Sequence, residues 1–141
     1  MPNSSTLFTG KNVAEDSDTT RATETVGFIV IQAGSGTLDG SGYRTALGAD
    51  TIQGSTNAIR SYTFSSPLNS TPAFAIASQS AMDGNNGGWA YLRGASALTA
   101  NSITLAVDED QIRDSERAHT TEQVAYFVSE SQLSIELTPN P

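Results

Sequence analysis

The stretch Ile103-Thr104-Leu105-Ala106-Val107 alternates large aliphatic side chains with small or polar ones. Because successive side chains of a β-strand point to opposite faces, this period of two predicts a strand with one buried face. Similar alternation recurs on both sides of it, at residues 62–65, 73–77, 89–92, 124–128 and 133–137. A continuous apolar run at residues 26–31 predicts one more strand, near the N-terminus.

Segments rich in glycine, proline and Asx residues separate these runs and predict turns. They are Ala33-Gly34-Ser35-Gly36, Gly40-Ser41-Gly42, Ser66-Pro67, Thr71-Pro72 and Asp83-Gly84-Asn85-Asn86-Gly87-Gly88. No window of helical length carries a 3.6-residue apolar stripe, and the best helix candidate is one or two turns at residues 114–118. About seven to nine short strands predict an all-β fold, an antiparallel β-sandwich, with a small barrel as the alternative.

The length of 141 residues fits a single domain. We expect residues 11–137 to fold together, with linkers at residues 1–10 and 138–141. Within that unit, residues 11–58 supply N-terminal strands, and residues 59–137 form the main sandwich. In one interpretation, residues 11–58 include the tail of a preceding repeat.

The net charge of −8, from 15 acidic and 7 basic residues, argues against nucleic acid as a partner. The chain has no cysteine, which excludes disulfides and zinc–thiolate sites. No run approaches the roughly 18 apolar residues of a membrane span, so we expect no membrane insertion. The first residues lack the pattern of a signal peptide, and we interpret the chain as a module of a larger protein.

A weak internal repeat relates residues 16–30 to residues 114–128 at an offset of 98 positions. The paired residues are Asp16 with Asp114, Ser17 with Ser115, Thr23 with Thr121, Glu24 with Glu122, Val26 with Val124 and Val30 with Val128. Each copy is a polar, acidic segment followed by Thr-Glu and an apolar strand. The match is either a chance similarity or the trace of a tandem array, whose extra strand pairs within its own sheet or with a neighbouring chain.

Residues 59–129 carry a further pattern. It begins with Arg60-Ser61-Tyr62-Thr63-Phe64-Ser65-Ser66-Pro67-Leu68 and Thr71-Pro72-Ala73-Phe74-Ala75-Ile76-Ala77. The strand at residues 89–93, the segment Leu98-Thr99-Ala100-Asn101-Ser102-Ile103 and the strand at residues 124–128 follow. This succession resembles the H-type lectin family, and Ala118-His119-Thr120-Thr121-Glu122-Gln123-Val124-Ala125-Tyr126 resembles repeats near the ends of large bacterial extracellular proteins.

The resemblance implies a six-stranded antiparallel sandwich that forms trimers and binds sugars, often N-acetylgalactosamine, near subunit interfaces. Arg93 and the loop before Val124 stand where the family contacts its sugar. The chain departs from the family in that loop, because Glu116, His119, Thr120 and Thr121 replace the usual aromatic residue. The sugar specificity of the family therefore does not carry over.

The residues themselves indicate the same kind of ligand. Sugars present flat CH faces that stack on aromatic rings, and polar side chains fix their hydroxyl groups. The predicted sugar-binding residues are Trp89, Tyr91, Arg93, Asp83, Asn85 and His119. Trp89 and Tyr91 could equally point into the core or into a subunit interface, and the loop at residues 83–88 could be an ordinary turn.

Five carboxylates lie within residues 108–116. Calcium prefers carboxylate oxygens, so the sequence predicts a structural calcium site. The predicted ligands are Asp108, Asp110, Asp114 and Glu116. The alternative is a solvated loop whose charge is balanced by Arg113 and Arg117.

The sequence offers little for catalysis, and we predict that the chain is not an enzyme. Its only histidine, His119, cannot build a zinc site without cysteine or a second histidine. No nucleophile-elbow pattern accompanies it, and a hydrogen bond to Glu122 or Asp114 is the expected role of its ring.

We therefore predict a carbohydrate-binding or adhesion module of a larger bacterial extracellular protein, located outside the cell or on its surface. Its partners would be a polysaccharide or a cell-surface glycan, with further copies as a homotrimer or as tandem-repeat neighbours. The alternative is a structural repeat that assembles stalks or filaments by strand addition and binds no sugar.

Overall fold

The structure is a computed structural model that describes residues 5–7, 9–10 and 14–132. The described residues form seven strands: β1 (Gly34–Leu38), β2 (Ser41–Leu47), β3 (Arg60–Thr63), β4 (Phe74–Gln79), β5 (Gly88–Leu92), β6 (Ser102–Glu109) and β7 (Val124–Ser129). They make a four-stranded sheet in the order β1-β2-β7-β4 and a three-stranded sheet in the order β3-β6-β5. All strand pairs are antiparallel, which confirms the predicted all-β sandwich.

The core lies between the two sheets and follows the predicted alternation. Ile103, Leu105 and Val107 of β6 face Val124 and Val128 of β7, and all five are at most 1% exposed. Burying a side chain of this size contributes about 1.5–3 kcal/mol relative to leaving it in water. The central strands β6 and β7 therefore supply much of the stabilising apolar contact.

Strand β4 has its larger side chains on the outside. Ala75 and Ala77 pack against the core, while Ile76 is 56% exposed. The alanines lie opposite Val128 and Tyr126 of β7, whose bulk fills the space between the sheets. Small residues on β4 are therefore what the interior can accommodate at this position.

The first hairpin was only partly predicted. Strands β1 and β2 are joined by Asp39 and Gly40, whose φ angles of 51° and 74° are both left-handed. A two-residue loop of this conformation is a type I′ turn, for which Asp-Gly is a preferred pair. The turn predicted at residues 40–42 is thus close to the observed one, whereas the turn predicted at residues 33–36 is wrong, because β1 begins at Gly34.

The strand predicted at residues 26–31 is also wrong. Residues 18–32 belong to no helix or strand. The apolar side chains from Val26 to Ile31 are 45–85% exposed. A strand requires hydrogen-bonding partners, and the four-stranded sheet ends at β1 without including this segment.

The predicted short helix at residues 114–118 is wrong as well, since these residues form a loop. Backbone amides in this loop donate hydrogen bonds to nearby carboxylates, as the Glu116 amide does to Asp114. The last predicted strand, at residues 133–137, lies outside the described residues. The described part of the chain holds no helix of the length and apolarity that a membrane crossing demands.

Candidate functional site

The aromatic residues of β5 face outward. Ala90 packs against the core, so its neighbours Trp89 and Tyr91 project from the opposite face of the strand. Trp89 is 52% exposed and Tyr91 is partly exposed. The sequence left open whether these two rings point into the core or outward. The structure places both rings on the outer face of the three-stranded sheet, outside the core.

An ion pair lies beside the tryptophan on this face. Asp108 is the direct cross-strand neighbour of Trp89. Its carboxylate accepts a hydrogen bond of 2.7 Å from Arg117 Nε and a second one from the Nη2 atom of the same guanidinium. The hydrogen bonds from Arg117 hold the pKa of Asp108 below its usual value, so the carboxylate is charged at neutral pH.

Arg93 follows β5 two positions after Tyr91. Its backbone amide donates to the Thr104 carbonyl at 3.0 Å, which keeps it in line with the sheet. Its guanidinium donates to the Asn57 carbonyl at 3.0 Å. Only one of its five N–H groups is needed for that bond, so the side chain is positioned and retains further donors.

The loop that leads into β5 is anchored by the side chain of Glu122. Asp83 and Asn85 are exposed. The backbone amides of Asp83 and Gly84 both donate to Glu122 Oε1, at 3.0 and 3.1 Å. Through these two amides, Glu122 fixes the position of the loop that precedes Trp89.

His119 does not reach this surface. The residue is 6% exposed, and its ring lies between two buried glutamates. Nδ1 is 3.0 Å from Glu109 Oε2, and Nε2 is 2.9 Å from Glu122 Oε1. The predicted hydrogen bond to Glu122 is confirmed, whereas a direct contact between His119 and a sugar does not fit this position.

The geometry suits a charged imidazolium, because only the protonated ring donates from both nitrogens. Burial opposes the charge, but the hydrogen bonds that the ring donates to Glu109 and Glu122 outweigh it and raise the pKa of His119. The second oxygens of the two glutamates, Glu109 Oε1 and Glu122 Oε2, are buried and have no hydrogen-bond partner among the described residues. We call these three residues the buried cluster.

Two glycines allow the chain to close around this cluster. A Cβ at Gly84 would lie 2.5 Å from the His119 ring, and a Cβ at Gly54 would lie 2.1 Å from the His119 amide nitrogen. The same amide donates to Asn57 Oδ1 at 3.0 Å. Side chains larger than hydrogen are therefore excluded at both positions.

The predicted calcium ligands do not converge. Asp108 is bonded to Arg117, whereas Asp110, Asp114 and Glu116 each accept the backbone amide two residues further along the chain. Across residues 14–132, no three acidic, histidine or cysteine side chains are arranged so that they could hold a metal ion. Calcium in this loop stays a prediction.

The sequence pattern did not identify Glu109 as a buried residue of the cluster around His119. Residues 108–116 were interpreted as one acidic loop, but Asp108 and Glu109 end β6. The alternation that places Leu105 and Val107 inside also places Glu109 inside, so extending it by one step would have revealed a buried carboxylate.

No protein-family model, no curated protein and no solved structure matches this chain. Membership of the H-type lectin family therefore stays a prediction, and the function must be argued from the residues themselves.

Proposed function

We propose that the chain is a carbohydrate-binding module whose binding surface is the outer face of β5 and β6. The observation that carries the proposal is the half-exposed Trp89, which lies with Tyr91 on a rigid strand beside the Asp108–Arg117 ion pair. Large aromatic side chains in globular proteins are usually buried. An exposed pair that is flanked by charged groups indicates a binding surface.

The arrangement offers both kinds of contact that a sugar uses. The indole of Trp89 presents an apolar ring to the CH face of a pyranose, as aromatic rings do for flat apolar groups. Asp108 accepts hydrogen bonds from hydroxyl groups, and the arginines donate to them. Because the polar groups are held by bonds to Asn57 and to each other, little conformational entropy is lost on binding.

The charge of the chain narrows the ligand class. A net charge of −8 repels polyanions such as sulfated or phosphorylated polymers. Neutral polysaccharides and neutral cell-surface glycans are therefore the favoured ligands. This fits the proposed setting, in which the module lies outside the cell as part of a larger bacterial protein and contributes adhesion or targeting, without catalysis.

A glycan and polysaccharide array tests the proposal. The protein is applied in calcium buffer and again in EDTA, and each sugar that binds is measured by isothermal titration calorimetry. We expect Trp89→Ala to weaken binding at least tenfold. Phe28→Ala is the matched control, since it removes an exposed aromatic ring that is not on β5.

The outcomes separate the possibilities. A blank array in both buffers, from protein with an intact β-sheet spectrum, would contradict carbohydrate binding. Loss of binding in EDTA would assign calcium to the site, and equal binding in both buffers would remove calcium from the proposal. Light scattering on the same samples tests the predicted trimer.

A further inference from the structure

The chain contains two copies of one strand sequence, in two different environments. Val124 and Val128 of β7 are completely buried, whereas their repeat partners Val26 and Val30 are 56% and 71% exposed. We call residues 21–32 the donor segment. Exposed contiguous apolar residues mark an interaction surface, and here the partner can be inferred, because the second copy shows where this sequence packs.

The position occupied by β7 is the centre of the four-stranded sheet. There β7 pairs with β2 on one side and with β4 on the other. Its inward residues Val124, Tyr126 and Val128 belong to the core cluster. A strand that took this position would therefore satisfy two ladders of backbone hydrogen bonds and bury three side chains.

The inward face of the donor segment fits that position in volume. Its inward residues would be valine, phenylalanine and valine, against valine, tyrosine and valine in β7. The Tyr126 ring packs on Tyr62 and Phe64 with centroid distances of 5.9 and 5.8 Å. Phe28 provides the same ring, and volume-conserving exchanges are the ones that cores tolerate best.

The polar lead-in of the donor segment fits as well. Glu24 corresponds to Glu122, whose carboxylate binds the amides of Asp83 and Gly84. Arg21 corresponds to His119. A guanidinium is permanently charged, so the exchange keeps a cationic hydrogen-bond donor for Glu109.

We propose that the donor segment is a second β7, which completes the four-stranded sheet of another copy of this chain. Each copy carries one donor segment and one sheet, so the exchange joins copies head to tail, and the rotation between copies decides whether the assembly is open or closes into a ring. In a single copy, β7 already occupies its position between β2 and β4. Because it belongs to the same chain as the sheet, it has a high effective concentration and outcompetes a donor segment from another copy. Insertion of a donor segment from another copy should therefore be detectable only when substitutions prevent β7 from entering its own sheet. This insertion does not depend on sugar binding.

The test disables β7 in the full chain. The double variant Val124→Asp/Val128→Asp cannot bury its own β7, whereas Val26→Asp/Val30→Asp loses the donor segment, and a fourfold variant loses both. Circular dichroism measures β-sheet content, and size exclusion with light scattering measures mass over a concentration series. We expect the β7 variant to keep its β-sheet signal as concentration-dependent oligomers, and the fourfold variant to lose that signal.

The donor variant is the matched control and should stay folded with the mass of the unsubstituted protein, because its substituted residues are exposed. A synthetic peptide of residues 16–33 should restore the β-sheet signal of the fourfold variant. The same peptide with the substitutions Val26→Asp and Val30→Asp should not restore it. An unfolded β7 variant that the peptide does not restore would overturn the proposal. A folded monomeric β7 variant would also overturn it, since the segment would then complete its own sheet.

Discussion

Asp108 and Glu109 are neighbours on β6 with nearly the same chemistry, yet they meet opposite environments. Asp108 lies on the outer face, where Arg117 binds it at the edge of solvent. Glu109 lies inside, where its side chain is 1% exposed and bonded to His119. The comparison teaches that the two faces of one strand have different roles: the inner face packs into the core, and the outer face is the surface for which we propose sugar binding.

The energetic consequences differ accordingly. The Asp108–Arg117 pair is partly exposed, with the arginine side chain 41% and the aspartate side chain 16% in contact with solvent. Such a pair contributes less to stability than a buried one, because water can solvate its partners after it is broken. A buried charge that loses its partner has no such replacement. Substitutions on the inner face should therefore change the free energy of unfolding, and substitutions on the outer face should change ligand affinity.

The largest effect is expected for Glu122→Ala. The substitution removes a buried partner of His119 and also the acceptor of the partly buried Asp83 and Gly84 amides. Breaking a buried pair in this way costs about 3–5 kcal/mol. Urea denaturation followed by circular dichroism measures the loss.

The repeat partner of Glu122 provides the control. Glu24→Ala changes the same residue type at an exposed position, so the free energy of unfolding should stay within about 0.5 kcal/mol. Equal losses for the two variants would show that burial does not distinguish them, and the comparison of faces would fail.

Ile103→Ala should come next. Ile103 is completely buried between the sheets, and truncation of a core isoleucine costs about 2–5 kcal/mol through lost contacts and the cavity left behind. Ile59→Ala makes the same change at a position that is 64% exposed and should be nearly neutral in the same urea experiment. A small loss at Ile103 would mean that the predicted core strand is not packed as described.

The pH dependence of stability should follow from the buried cluster. Although burial opposes the charge, the hydrogen bonds that the ring donates to Glu109 and Glu122 raise the pKa of His119 in the folded protein above the ordinary histidine value of 6.5. The stabilisation by the charged ring is therefore complete below about pH 6.5, and it is lost as the pH rises through the folded-state pKa. The free energy of unfolding should fall across that interval.

His119→Gln isolates this contribution, because glutamine still forms hydrogen bonds but carries no charge. The variant should be less stable at low pH and should lose the fall in stability above about pH 6.5 that the natural chain shows. Parallel pH profiles for the two proteins would rule out His119 as the titrating group.

The sequence predicts the fold correctly where the alternation of side chains allows only one face of the strand to be buried. At Ile103, Leu105 and Val107 every second residue is large and apolar, so the buried face follows directly. For β5 the alternation left two faces open. The choice is made by register, since Ala90 lies opposite the buried Val107, and register between distant strands is not visible in one sequence.

The error at residues 26–31 has a different origin. The segment has the composition of a strand, and its close copy in β7 is a strand. The second copy lies in the sheet and the first is exposed outside it, a difference that the local pattern could not predict because both copies have the same alternation. The Asp39-Gly40 turn, by contrast, was a readable hairpin signal, and its left-handed pair of residues explains why β1 and β2 meet there.

The smallest effect on stability is expected for Trp89→Ala, although it removes the largest side chain of the outer face. Half of that side chain is already in water and its strand is held by Ala90 on the other side, so the free energy of unfolding should change by less than about 0.5 kcal/mol. Sugar affinity should nevertheless fall at least tenfold, which urea denaturation and calorimetry on the same sample can show together. A loss of stability comparable to that of Ile103→Ala would reverse the assignment of the faces. The outer surface would then be structural, and the binding site would have to be sought elsewhere.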